Sequence, residues 1–156
     1  MIKLERFAVA AALLWALQPV GAMVRGTTDQ GRSYVSGGVG GEEMNSLNGE
    51  RGQYTVSILT ASKGTGAYLS GAHIVITDGK AGPILSTVMD GPWLLIDLPA
   101  GSYQIDAIYG DTTQTSKFTF AAGGHRQSVF YFDTHDQVEA LSPPIDIDPT
   151  GEPVPR

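Results

Sequence analysis

The 156-residue chain contains no cysteine. That absence removes disulfides, thiolate metal ligands, thiol nucleophiles and cysteine-borne lipid anchors together, so an exported form must hold itself up with its own apolar core. Clustered positive charge is missing too. Ten Lys and Arg are scattered among sixteen Asp and Glu, a formal net charge of −6, and no run of bases is present to track a phosphate backbone. Nucleic acid is therefore not an expected partner. The longest apolar run, Phe7–Leu17, has eleven residues, well short of the ~20 that span a bilayer as a helix. Several catalytic signatures are also lacking: there is no G-x-S-x-G elbow, no phosphate-cradling glycine loop and no pair of histidines at ligand spacing.

The apolar run fits a different role. Lys3 and Arg6 precede it, and Pro19, Val20, Gly21 and Ala22 follow. A basic start, a short apolar centre and small residues before a cut make a secretory signal, with cleavage expected after Ala22. Removal takes two bases and one acid and leaves 8 basic and 15 acidic residues, a charge of −7. A periplasmic or secreted protein with no membrane span after cleavage is the expectation.

Twenty glycines and nine prolines punctuate the chain, which suits many tight turns more than a helical bundle. Met23–Arg32 is polar and aperiodic and reads as a flexible leader. The whole stretch 23–52 reads as a glycine-rich leader with a short helix near Glu42–Gly49, where Met44 and Leu47 share a side and Gly49 is the expected stop. From residue 53 the period becomes two. Tyr54, Val56 and Ile58 are expected on one strand face. Strands follow near 72–77, 84–89, 93–98, 102–109, 112–120 and 126–132, separated by Asp78-Gly79, Asp90-Gly91-Pro92, Pro99-Ala100-Gly101 and Gly110-Asp111. About seven strands without a long helix between them predict an all-β fold: a single antiparallel Greek-key sandwich, transthyretin-like or immunoglobulin-like, over 53–133. A closed barrel is the alternative. Residues 134–156 form an acidic tail, and Ser142–Arg156 holds five of the nine prolines, so disorder is expected there.

The run SGAHIVITD at Ser70–Asp78 and the run LPAGSYQI at Leu98–Ile105 resemble the carboxypeptidase-regulatory-like, or transthyretin-like, β-sandwich family. The pattern of Gly37–Gly40, Glu42-Glu43 and Asp90–Trp93 is similar to that of small uncharacterised proteobacterial exported proteins. The resemblance implies an accessory, adhesive or scaffold module and brings no catalytic residues with it. In the second run, Pro99 and Gly101 are expected to make the turn, Gly101 at a backbone angle costly to other residues, and Tyr103 to enter the core.

Metal chemistry has two weak starting points. His135, Asp136 and Asp133 cluster after the last strand but lack ligand spacing, with His73 and His125 far away in sequence. Asp146–Glu152 begins like a calcium loop, yet the chain ends before the twelfth-position carboxylate. No catalytic, cofactor-binding or metal-binding residue is therefore expected, and an unrecognised site among Asp90, Asp97, Asp106 and Asp111 is the least favoured reading. The remaining surface candidates are Tyr68, Asp90 and Trp93, with Phe130 and Phe132 in a run whose two faces cannot both enter a one-sided core. They suggest a non-enzymatic module for protein–protein interaction in the cell envelope. A small-ligand or glycan-binding domain is the alternative.

Overall fold

The computed structural model describes residues 23–80 and 82–134. The expected signal, the tail from 135 onward, and with them His135, Asp136 and the calcium-like run lie outside those residues. The chain order is β1 (Val24–Thr27), β2 (Ser33–Gly37), α1 (Gly41–Glu50), a single 3-10 turn (Arg51–Gln53), β3 (Val56–Ser62), β4 (His73–Asp78), β5 (Gly82–Val88), β6 (Trp93–Ile96), β7 (Gly101–Tyr109), β8 (Thr112–Phe120) and β9 (Arg126–Phe132). Two sheets result: β1-β2-β6-β3-β9 and β5-β4-β7-β8. They pack face to face as an all-β sandwich.

The period-two pattern decides what each strand buries. Along β7, Tyr103, Ile105 and Ala107 are buried, whereas Ser102, Gln104 and Asp106 face outward. Val56 and Ile58 from β3, Ile74 and Ile76 from β4, Leu94 and Ile96 from β6, Phe118 from β8 and Phe130 and Phe132 from β9 complete the core between the sheets. Strand β6 breaks the alternation, because all four of its residues are buried. Its second face carries Trp93 and Leu95, which meet Val35 and Leu47 in a smaller apolar cluster with Met23, Met44, Tyr54 and Leu59 at its margin. The five-stranded sheet is thus covered on its outer side by α1. Full burial of Leu47 stabilises that docking by about 2 kcal/mol.

Several expectations are corrected. The described residues contain nine strands, two more than the period-two signal suggests. The sheets are not wholly antiparallel, since β3 and β9 run parallel from Val56↔Arg126 to Ser62↔Phe132. Strand β9 arrives from β8 in the opposite sheet, so no hairpin forces it to oppose β3.

Residues 24–27, read as part of a flexible leader, form an edge strand on β2, which itself pairs with β6. Main-chain bonds hold this hairpin, and they are blind to side-chain polarity. In its turn, Thr28 N–H donates to Arg32 O, and Thr28 Oγ1 accepts from Arg32 N–H. The helix runs through Gly49 to Glu50. Tyr54 precedes β3 and packs in the outer cluster, not with Val56 and Ile58. Gly101 does not have a positive φ. Its need for a missing side chain comes from the Tyr103 ring, whose hydroxyl would lie 3.3 Å from a Cβ there while donating to Pro99 O at 2.7 Å.

Candidate functional site

The registers across β6, β3 and β9 place residues in rows on the outer face of the five-stranded sheet. One row is Trp93–Leu59–Val129. Beyond the end of β6 the loop at Tyr68 takes its place and bridges Ala61, which is itself paired with Tyr131. The next row is therefore Tyr68–Ala61–Tyr131. Ala61 is buried at 2% exposure, whereas the tyrosines on either side are 56% and 51% exposed. Two adjacent strand spacings put their backbones about 10 Å apart, so two rings border a floor made by one methyl group. Val129, 36% exposed, continues this apolar saddle.

Helix α1 covers the sheet only as far as Trp93. The Arg51 guanidinium lies 4.1 Å from the centre of the Trp93 ring, and Tyr68 meets the same ring edge-on at 6.4 Å. Gly38, at φ 95°, allows this packing: a Cβ there would stand 2.8 Å from Trp93 Cδ1, and its backbone angle disfavours any side chain. Next to the saddle, toward the start of β9, lies a notch of about 380 Å³ lined by Arg51, Tyr54, Ser57, His125, Arg126 and Gln127. Arg51 Nε is buried without an acceptor among the described residues. Its cation is Arg51, because Arg126 pairs with core Val56 and turns its guanidinium to the Phe118 ring, 5.6 Å from the ring centre; on an acidic chain that cation favours a negatively charged group.

The residues singled out from sequence are dispersed. Tyr68 stands at the saddle. Trp93 lies beneath it at 5% exposure, largely closed off by Arg51 and Tyr68. Asp90 is exposed in the β5–β6 loop, where its N–H donates to Ser36 Oγ. Phe130 and Phe132 are 3% and 1% exposed in the main core and cannot meet a partner. The outward residues of that strand are Val129 and Tyr131. Parity decides this: Phe130 pairs with Thr60 and Phe132 with Ser62, on the face turned toward the second sheet.

Two of the carboxylates weighed for hydrolysis, Asp106 and Asp97, belong to opposite sheets. Asp106 lies on the outer face of the four-stranded sheet and accepts from Gln104 and Thr115, whereas Asp97 follows β6 in the opposite sheet. His73 and Ser86 share a 2.8 Å hydrogen bond on that same open outer face, and the only carboxylate on the neighbouring strand β7, Asp106, is engaged elsewhere. On the same sheet a shallow groove of about 520 Å³, more apolar than polar in its lining, runs past Thr77, Ser102, Tyr103, Gln104, Lys117 and Phe118. Among the described residues no group of three or more His, Asp or Glu is placed to hold a metal ion, and no helix is long and apolar enough to cross a membrane. No protein-family model, no curated protein and no solved structure matches the chain.

Proposed function

We propose that this protein is an exported, non-enzymatic β-sandwich module of the transthyretin-like kind that binds another cell-envelope protein through the outer face of its five-stranded sheet. The single observation behind this reading is the saddle: two half-exposed tyrosines, Tyr68 and Tyr131, over buried Ala61, continuous with exposed Val129 and with the basic notch. Exposed aromatics beside a guanidinium are the surface composition that carries binding energy at protein interfaces. The partner segment that suits it places apolar side chains on the saddle and a carboxylate in the notch. Replacing Tyr131 and Val129 together by Ser is expected to abolish capture of the partner from crosslinked periplasm while leaving thermal unfolding nearly unchanged. Undiminished capture by that variant overturns the reading.

The groove on the opposite sheet, where Lys117 and Gln104 stand beside Tyr103 and Phe118, supports the second reading, a small-ligand or glycan-binding domain. Stacking of a sugar on Trp93 is disfavoured, because Arg51 already occupies a ring face. Lys117 and Gln104 would carry recognition instead. A Lys117→Ala variant that loses binding in a glycan screen would establish it, and a silent screen with the native protein would dismiss it.

A further inference from the structure

The start of β1 meets the helix at an unsatisfied carboxylate. Glu43, the third residue of α1, turns its side chain back so that Oε2 accepts from Gly38 N–H at 2.9 Å and Val39 N–H at 3.0 Å. The arrangement is close to the reciprocal half of a capping box. Its other oxygen, Oε1, is buried and has no partner among the described residues. A buried carboxylate oxygen left without a donor is costly, and such groups are rare in native proteins.

The Met23 side chain stands near the same carboxylate, across Gly37. A Cβ at Gly37 would lie 2.6 Å from Met23 Cγ, 3.2 Å from Met23 Cβ and 3.1 Å from Glu43 Oε2. Met23 and Glu43 therefore meet over the same glycine, and the Met23 side chain packs against the outer apolar cluster. Met23 is also the residue that cleavage after Ala22 would leave first.

We infer that signal cleavage completes this site: the new α-ammonium of Met23 binds the Glu43 carboxylate and locks the first strand to the helix that covers Trp93. The inference rests on the export reading above. In the cleavage, a signal peptidase directs water onto the Ala22–Met23 peptide bond. The C–N bond breaks, the hydroxyl goes to the Ala22 carboxyl, and the amine takes a proton. A neutral amide with one N–H becomes a cation with three donors, on the residue whose side chain shares the space over Gly37 with the Glu43 carboxylate. The other charged groups on the surrounding elements are Arg25 and Glu50, paired to each other at 2.7 Å, Arg51 on Trp93, and exposed Glu42 and Asp90. Glu43 is thus the carboxylate placed to receive the ammonium.

The test is a double-mutant cycle on residues 23–156, released from a fusion so that Met23 is the first residue. One change retains Ala22, which moves the ammonium by a residue. The other is Glu43→Gln, which keeps an acceptor for Gly38 and Val39. Each alone is expected to lower Tm by about 4 °C, and the two together by no more than either alone. The Met23 α-amine, followed by NMR after ¹³C-methylation, is expected to titrate above the ordinary ~7.7–8.0 in the native sequence and within that range in the Glu43→Gln variant.

Additive Tm losses, or an α-amine that titrates normally in both proteins, overturn the lock. N-terminal sequencing of the exported protein addresses cleavage separately. A mature terminus other than Met23 overturns the proposed processing event, whatever the cycle shows. A Met23 terminus with an additive cycle overturns the lock and leaves export standing.

Discussion

At the scale of single residues, neighbours in sequence have opposite fates. Phe130 and Tyr131 are adjacent, yet one is 3% exposed and the other 51%. Phe130→Ala is expected to cost about 3–5 kcal/mol of stability through the cavity it leaves. Tyr131→Ala should cost under about 1 kcal/mol and act on binding instead. Urea unfolding of both variants checks the contrast.

Tyr103 carries a pH prediction. Burial raises the pKa of its hydroxyl above the ordinary value, and the nearby negative charge of Asp78 adds to the shift. The folded state favours the neutral phenol. The stabilisation is therefore present below the unfolded-state value near ~10 and is lost as pH rises through the folded one. Tyr103→Phe should lose about 1 kcal/mol at neutral pH with the bond to Pro99 O and show a flatter alkaline limb in stability against pH.

At the scale of elements, the helix and the first hairpin act as a cover for one sheet. Leu47 is 1% exposed at the centre of that cover, so Leu47→Ala should cost about 2–4 kcal/mol. It should also red-shift the emission of Trp93, which becomes the only tryptophan once residues 1–22 are removed. Arg25 and Glu50 clip the edge strand to the helix. The hydrogen bonds from Arg25 hold the Glu50 carboxyl below its usual range, so the gain is present above pH ~4.3 and fades as acid protonates it. Both groups are partly exposed, and Glu50→Gln is expected to cost no more than about 0.5 kcal/mol.

The seven strands from β3 to β9 were legible because their apolar residues alternate or come between strong turn pairs such as Asp78-Gly79. β1 was not legible, because an edge strand of Val, Arg, Gly and Thr is held by its backbone ladder and buries little. The parallel β3–β9 pairing is invisible to a local pattern, since it joins residues some seventy apart. The same gap hid Tyr131. The sequence shows that one parity of Val129–Phe132 must face outward, and only the pairing with β3 tells which.

At the scale of the whole molecule, the outer face of one sheet is open, and that of the other is covered except at its β3–β9 end. The uncovered end gathers the exposed aromatics Tyr68 and Tyr131 near Arg51. Binding there should weaken as ionic strength rises, because the notch contributes through charge. Arg51→Ala should both reduce that salt dependence and release Trp93 fluorescence, read in one titration with the purified partner.

The most direct measurement places a photo-crosslinking amino acid at position 129 or, on the opposite sheet, at position 115, in the full chain expressed in its host. One discrete, saturable adduct with an envelope protein is expected from position 129, lost when Arg51 is replaced by Ala, and none from position 115. An adduct from position 115 alone, or no adduct from either, would contradict that expectation.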